Sequence, residues 1–289
     1  MAMATTQQDL KGKTFLVTGA NSGIGRVTAE ELAARGGAVV LASRSPERTL
    51  PVLQGIRSKH PGADVEFLQV DLGSLRSVQE AAGRFLASGR PLDVLVNNAG
   101  IAAAPGATVD GFEVTFGTNH LGPFLLTSLL LPKLQKAPRA RIVNVASRAH
   151  ERIKRIDWGM LERPTRGTGE RLQMYGVSKL MNVLHAAELA RRLAGTGVTT
   201  YSLHPGVVAT NVWREAPRLL QPVMKLFMVS EEEGARTTLR CATAPELEGV
   251  SGRYYDAGRE KPPNAAARDE ALARELYARS EAYVKRVLG

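Results

Sequence analysis

Short runs of β-branched and aliphatic residues alternate with longer helical patterns along this chain, and that alternation restricts the fold more than any other feature. Seven runs read as strands, at 14–17, 38–42, 65–70, 94–96, 141–145, 199–203 and 252–255. Helical periodicity fills the intervals near 24–35, 47–59, 74–88, 110–136, 172–194 and 231–243, and again at 266–286. Strands separated by a helix cannot pair through a tight turn, so successive strands must cross over and run parallel. The expected fold class is therefore α/β: a doubly wound parallel sheet of about seven strands with helices on both faces. Neither a linker nor an internal repeat interrupts the pattern, which predicts one domain over 1–289 with an N-terminal tail at 1–11.

Composition limits what such a sheet can be used for. Hydrophobic residues make up 44% of the chain and charged residues 23%, an ordinary globular balance. The single Cys241 excludes an internal disulfide, which suits a reducing compartment and predicts a buried, inert thiol. Residues 1–10 lack the basic start and apolar run of a signal peptide, and no stretch approaches the roughly 18 apolar residues of a membrane span, so a cytoplasmic protein is expected. The net charge is +10, yet no nucleic-acid-binding signature accompanies it. Half of the excess lies in residues 139–171, where nine Lys/Arg face four Asp/Glu; this reads as a solvated basic loop, with peripheral membrane contact as the other reading. No metal site is expected, and a homo-oligomer is left open.

The first strand runs into Thr18-Gly19-Ala20-Asn21-Ser22-Gly23-Ile24-Gly25, which opens the first helix. Glycines at 19, 23 and 25 let the backbone turn sharply and approach a ligand, and the helix N-terminus offers free N–H groups to a pyrophosphate. The expected ligand is a dinucleotide, touched by Gly19, Asn21, Ser22, Gly23, Ile24 and Gly25. After the second strand no carboxylate is placed to accept from an adenosine ribose; Arg44 stands there and can pair with a 2′-phosphate, which favours NADP(H) over NAD(H). Arg26 either assists or is a solvated helix residue. Asp71 and Leu72 follow the third strand, where they can meet the adenine, or Asp71 can cap the next helix.

Tyr175 and Lys179 stand four residues apart in the pattern at 172–194, so they share one helix face in its first turns. An ammonium beside a phenol favours the phenolate, which is one way to build a proton donor and acceptor.

Added to these, Asn97-Asn98-Ala99-Gly100, Asn119 within Gly117-Thr-Asn-His-Leu-Gly, Ser147 after the fifth strand and His204-Pro205-Gly206 complete six ordered motifs over residues 12 to 256. With them the chain resembles the short-chain dehydrogenase/reductase family and its Rossmann-type sheet. Asp110-Gly-Phe-Glu, Asn119-His-Leu-Gly-Pro-Phe-Leu-Leu-Thr and Glu233-Gly-Ala are closest to the NADP(H)-dependent retinol dehydrogenase-like subgroup, as is the long interval of 175 − 147 = 28 positions between Ser147 and Tyr175. An N-terminal hydrophobic anchor found in the vertebrate retinol enzymes is missing from residues 1–10.

The resemblance implies roles for individual residues. Tyr175 is the general acid/base, Lys179 lowers its pKa and holds the nicotinamide ribose, Ser147 binds the substrate oxygen, and Asn119 fixes a backbone kink and a water. Asn98, Ala99, Gly100, Pro205, Gly206, Val208 and Thr210 join the cofactor contacts. His204 is expected to be structural and His150 solvated. Substrate recognition is expected from 101–106, an insertion at 148–171 and an apolar, proline-broken lid at 207–229. The expected activity is NADP(H)-dependent hydride transfer to or from a lipophilic aldehyde, ketone or matching alcohol, retinoid-, steroid- or polyketide-like. A non-catalytic dinucleotide-sensing or scaffold protein on the same fold is the alternative.

Overall fold

The computed structural model describes residues 9–206 and 230–289; the expected lid at 207–229, with Val208 and Thr210, lies outside the described residues. A single sheet carries the strand order β3-β2-β1-β4-β5-β6-β7-β8. The strands are β1 (Thr14–Thr18), β2 (Ala38–Ser43), β3 (Val65–Gln69), β4 (Val94–Asn97), β5 (Arg141–Val145), β6 (Thr199–His204), β7 (Arg253–Asp256) and β8 (Arg259–Glu260). The first seven are mutually parallel, as the alternation predicts, and β8 is antiparallel to β7. Strand order reverses between β1 and β4, which opens a crevice at their carboxyl ends.

Helices α1 (Gly23–Ala34), α2 (Pro46–Lys59), α3 (Leu75–Ala87), α4 (Val114–Phe116), α5 (Gly122–Leu134), α6 (Thr168–Arg192), α7 (Glu231–Thr243) and α8 (Glu270–Leu288) cover the sheet. Strand periodicity sorts their partners. Leu16, Leu95 and Ile142 pack on one face with α3, α5, α6 and α8, while Phe15, Val17, Val94, Val96 and Val143 pack on the other with α1, α2 and α7. Strands β1, β2, β4, β5 and β6 are thus buried from both sides, which is why their residues show no alternation of buried and exposed positions, whereas the edge strand β3 leaves Gln69 exposed and Glu66 half-buried.

Four details differ from the sequence reading. The expected tail is anchored from Asp9 onward: Leu10 is buried, its N–H donates to Arg35 O (3.1 Å), and Asp9 pairs with Arg35. The helix expected over 110–136 begins at Val114 and is broken by a π-helical turn, Gly117–Leu121, between α4 and α5. Helix α6 starts at Thr168, so Tyr175 lies about two turns inside it and the 148–171 insertion ends within the helix; the polar residues 168–171 carry no apolar period to announce that start. The basic segment is not a solvated loop throughout. Buried Arg141 donates to the carbonyls of Cys241 and Ala244 at the end of α7, and Arg148 and Arg163 are held by Asp256 and Glu170. Cys241 is buried as expected, with its thiol pushed up to about 12 by burial. Among the described residues no helix is long and apolar enough to cross a membrane.

Candidate active site

Thr18, the last residue of β1, stitches the crevice together. Its hydroxyl accepts from the N–H groups of Asn98 and Ala99 (both 3.0 Å) and donates to Val96 O (3.3 Å), while the Asn98 amide donates to Thr18 O (2.9 Å). The glycine turn sits against this seam. Gly19 and Gly23 adopt φ of 68° and 57°, a region that side chains disfavour. A Cβ on Gly19 would lie 2.9 Å from Ala99 Cα, and one on Gly25 would lie 2.4 Å from Gly19 O. Ser22 caps α1 in an extended conformation without a side-chain hydrogen bond, which leaves the N–H groups of the first turn for a ligand.

A cavity of about 1330 Å³ runs from this turn across the carboxyl ends of the strands. Its walls include the whole glycine run expected to touch a dinucleotide, together with Arg44, Asp71, Leu72, Asn98, Ala99, Gly100, Pro205 and Gly206. Ser147, Tyr175 and Lys179 line the same cavity, whereas Asn119 lies behind its wall. At the adenosine end Arg44 is exposed, with a guanidinium nitrogen 3.9 Å from Asp71. Asp71 does not cap α3: its Oδ1 accepts from Gly73 N (2.9 Å), and Ser74 is the cap, accepting from Ser77 N. Arg26 is not at this end either, because Glu30 (2.8 Å) and Glu231 (2.9 Å) occupy its guanidinium. Arg48 was not singled out in the sequence, yet it lines the cavity beside Arg44. Its signal was there: a helix that opens at Pro46, directly after β2, turns its first residues toward the same crevice.

At the other end three elements converge. Ser147 follows β5 and caps a 3-10 turn, Arg148–Arg152, by accepting from Ala149 N (3.2 Å). That bond uses one of the two lone pairs on the hydroxyl oxygen and leaves its hydrogen for donation. Tyr175 and Lys179 share a face of α6, the ammonium nitrogen 5.7 Å from the centre of the phenol ring. Burial pushes the Tyr175 phenol above its usual range, and the nearby Ser147 hydroxyl works against that rise. Lys179 is 4% exposed, and burial lowers its ammonium from 10.5 to about 8. Its Nζ donates to Val145 O (2.9 Å) and forms no ion pair with a described residue. Gly100 makes room for it, since a Cβ there would lie 3.2 Å from Nζ.

Asn119 occupies the centre of the π-helical turn, 1% exposed. Its amide exchanges two hydrogen bonds with the backbone of Ile101, both 2.8 Å, and donates to Ser178 Oγ (3.1 Å), which in turn donates to Tyr175 O (2.8 Å). The loop after β4 and the helix bearing Tyr175 are thus tied through one side chain. His204 lines the cavity and is buried, which lowers its imidazole to about 4. His150 is fully buried rather than solvated, with Nδ1 2.6 Å from Ser147 O.

The short chain dehydrogenase family model matches residues 13–156. Dehydrogenase/reductase SDR family member 13 of Homo sapiens is 44% identical over 94% of this chain and 73% of its own length. Retinol dehydrogenase 13 of Homo sapiens is 42% identical over 94% of this chain and 84% of its own. Among solved structures, an uncharacterized protein from Mycobacterium Paratuberculosis superposes with a TM-score of 0.74 at 35% identity, covering 98% of each chain. A blue fluorescent protein from a metagenomic library, in complex with NADPH, gives 0.69 at 25% identity over 86% of this chain and 97% of that one. The strand order, the glycine turn and these relatives agree: the chain belongs to the short-chain dehydrogenase/reductase family, in its retinol dehydrogenase-like subgroup, and is an oxidoreductase of the nicotinamide dinucleotide-dependent kind.

Proposed function

We propose that this enzyme is an NADP(H)-dependent carbonyl reductase or alcohol dehydrogenase for lipophilic aldehydes and ketones, with Tyr175 as general acid in the reducing direction. The observation that carries this reading is one continuous cavity with the glycine turn and two arginines at one end and Ser147, Tyr175 and Lys179 at the other. The cradle fits a dinucleotide, because Gly19 and Gly25 pack the turn tightly against Ala99 and Asn98 and so hold the N-terminus of α1, with its free N–H groups, on the cavity wall. Arg44 and Arg48 both line the cavity at this end, and a guanidinium there is suited to pair a 2′-phosphate. The NADPH complex of a structural relative is in keeping with that choice.

Bound NADPH supplies the hydride. Ser147 donates a hydrogen bond to the substrate oxygen as negative charge develops there, and Tyr175 delivers a proton to the same atom. A buried phenol holds its proton too tightly to shuttle it, so the positive charge of Lys179 is needed to bring Tyr175 toward neutrality. Lys179 also holds the nicotinamide ribose, and Asn119 keeps the loop after β4 and the Tyr175 helix in register.

The cavity walls include the apolar side chains of Ile101, Ala102, Ala104, Val109, Ile153 and Leu172, with the charged Arg148, Glu151 and Arg152 on the turn after Ser147. Val109 (83% exposed) and Leu172 (47%) are two of the four large hydrophobic side chains exposed among the described residues, and both stand on this cavity. Apolar groups left in water around a reaction site favour a lipophilic substrate, in keeping with the names of the retinol dehydrogenase relatives. Oxidation of NADPH and of NADH, followed at matched concentrations against retinal, decanal and a steroid ketone, tests the reading. Turnover preferring NADPH, abolished in Tyr175→Phe with NADPH binding retained, is expected; full turnover by Tyr175→Phe refutes the proton-donor role, and NADPH binding without turnover on any carbonyl supports a sensing protein.

A further inference from the structure

Ser147 opens a turn of only five residues, Arg148–Arg152, too short to hold itself by helical hydrogen bonds. The C-terminal part of the chain holds it instead. The Asn264 amide donates to three carbonyls of this turn and its exit, those of His150 (3.0 Å), Glu151 (3.3 Å) and Ile153 (2.8 Å), and its oxygen accepts from Ala267 N (3.0 Å). Asp256, the last residue of β7, takes the Arg148 guanidinium in a bidentate grip: Nε to Oδ2 at 2.9 Å and Nη2 to Oδ1 at 2.9 Å. Lys261 then bridges Asp256 (3.2 Å) and Glu151 (2.9 Å). Charges alternate along Arg148, Asp256, Lys261 and Glu151, with the outer two on the turn and the inner two on the β7–β8 hairpin and its exit.

Three features give Asp256 the central place. Its side chain is 5% exposed while Arg148 is 51% exposed, so the carboxylate is the fixed partner and the guanidinium the captured one. The strand beneath it is anchored, since Asp256 pairs in register with His204 of β6. Asp256 is not among the residues that line the cavity, whereas Ser147 and Arg148 both are. A carboxylate fixed outside the cavity therefore draws one wall residue back and holds the backbone of its neighbour, Ser147.

We propose that Asp256, assisted by Asn264, is a positioning residue for the reaction: it sets the Ser147 hydroxyl against Tyr175 and keeps the Arg148 charge out of the substrate space. This rests on the reading of Ser147 given above. An ångström of misplacement in a hydrogen-bonding group can slow a reaction by up to about a hundredfold, so Asp256→Asn is expected to lower kcat by about tenfold or more on that scale. The dinucleotide cradle lies at the far end of the cavity, so NADPH affinity, read by cofactor fluorescence, stays within about twofold on the same argument. Asp256→Glu restores part of the rate.

The decisive experiment is a double-mutant cycle with Ser147→Ala, scored on kcat with the lipophilic carbonyl that turns over best. If Asp256 acts through Ser147, Asp256→Asn costs little more once the hydroxyl is gone. Losses that multiply independently, or an Asp256→Asn protein with unchanged kcat, overturn the proposal. Should Asp256→Asn fail to fold, Asn264→Ala and Asp256→Glu enter the same cycle, and unchanged kcat in both overturns it equally. Full turnover by Ser147→Ala, by contrast, refutes the role of Ser147 itself and is distinguishable from failure of the clamp alone.

Discussion

Replacing Lys179 by Met should make the cofactor-free protein more stable while abolishing turnover. The ammonium is 4% exposed, is bonded to one carbonyl oxygen, and is lowered from 10.5 to about 8 by burial alone. Below pH 8 the folded state therefore carries a charge it would rather lose. A shift from 10.5 to about 8 corresponds to roughly 3 kcal/mol of destabilisation at neutral pH, at about 1.4 kcal/mol per pKa unit. Loss of the bond to Val145 O offsets about 1 kcal/mol of the gain, and Met fills nearly the same volume, so the net expectation is about 2 kcal/mol. At an unfolding entropy of about 2.1 cal/mol/K per residue, that is a rise of about 3 °C in Tm for a chain of this length. The sign is pH-dependent. As pH climbs from 8 to 10.5 the unfolded chain still binds the proton that the folded chain has released, so the wild type gains on the variant by about 1.4 kcal/mol per unit and the advantage of Met disappears. Thermal and denaturant melts of both proteins at pH 7 and pH 10 measure this. A variant less stable than wild type at pH 7, or a difference independent of pH, refutes the claim that Lys179 is held charged against its environment.

The glycine turn gives a second expectation: Gly25→Ala places a Cβ 2.4 Å from Gly19 O, an overlap with backbone that costs about 1–3 kcal/mol and removes cofactor binding, readable by melting and NADPH fluorescence. Arg44→Ala and Arg48→Ala should each weaken NADPH by about tenfold to a hundredfold, the range of one charge-assisted hydrogen bond, and leave NADH nearly unchanged; equal losses for both cofactors remove the 2′-phosphate assignment. Burial holds His185 and His204 at about 4, so each contributes stability at neutral pH that falls away as the unfolded chain protonates below 6.5, by up to about 1.4 kcal/mol per pH unit down to pH 4. His185→Phe should flatten the acid limb of a stability–pH profile, and an unchanged slope between pH 6.5 and 4.5 contradicts the burial argument.

What could be read from the sequence was whatever a local pattern encodes. Parallel order followed from alternation alone, and the glycine turn from its spacing, because both are consequences of backbone sterics within a few residues. Sequence missed β8 because a two-residue strand, formed after a turn with φ of 47° at Ala257 and 78° at Gly258, has no periodicity to detect. It misjudged His150 because a histidine in a basic loop looks solvated until the C-terminal segment closes over it. Arg26 could be assigned only when Glu231, 205 positions away, was seen to hold it. The Asp256 and Asn264 clamp was invisible for the same reason: its partners lie more than 100 positions apart, and neither residue belongs to a motif.

Lys179 and Asn119 show why the site is built around an interrupted helix. A regular α-helix from Val114 onward would present Asn119 in a different direction, because a π-helical turn rotates the side chains it carries relative to the α-helical period. The π-helical turn shifts the register of Gly117–Leu121, and Asn119 there binds both the N–H and the carbonyl of Ile101. Those two bonds hold the loop that starts at Gly100, whose missing side chain admits the Lys179 ammonium. An uncompensated charge can be kept at this depth only if the surrounding backbone cannot relax onto it or expel it. The distortion in the helix, the glycine in the loop and the carbonyl of Val145 together impose that condition, and they do so on the Lys179 ammonium that stands beside the Tyr175 phenol.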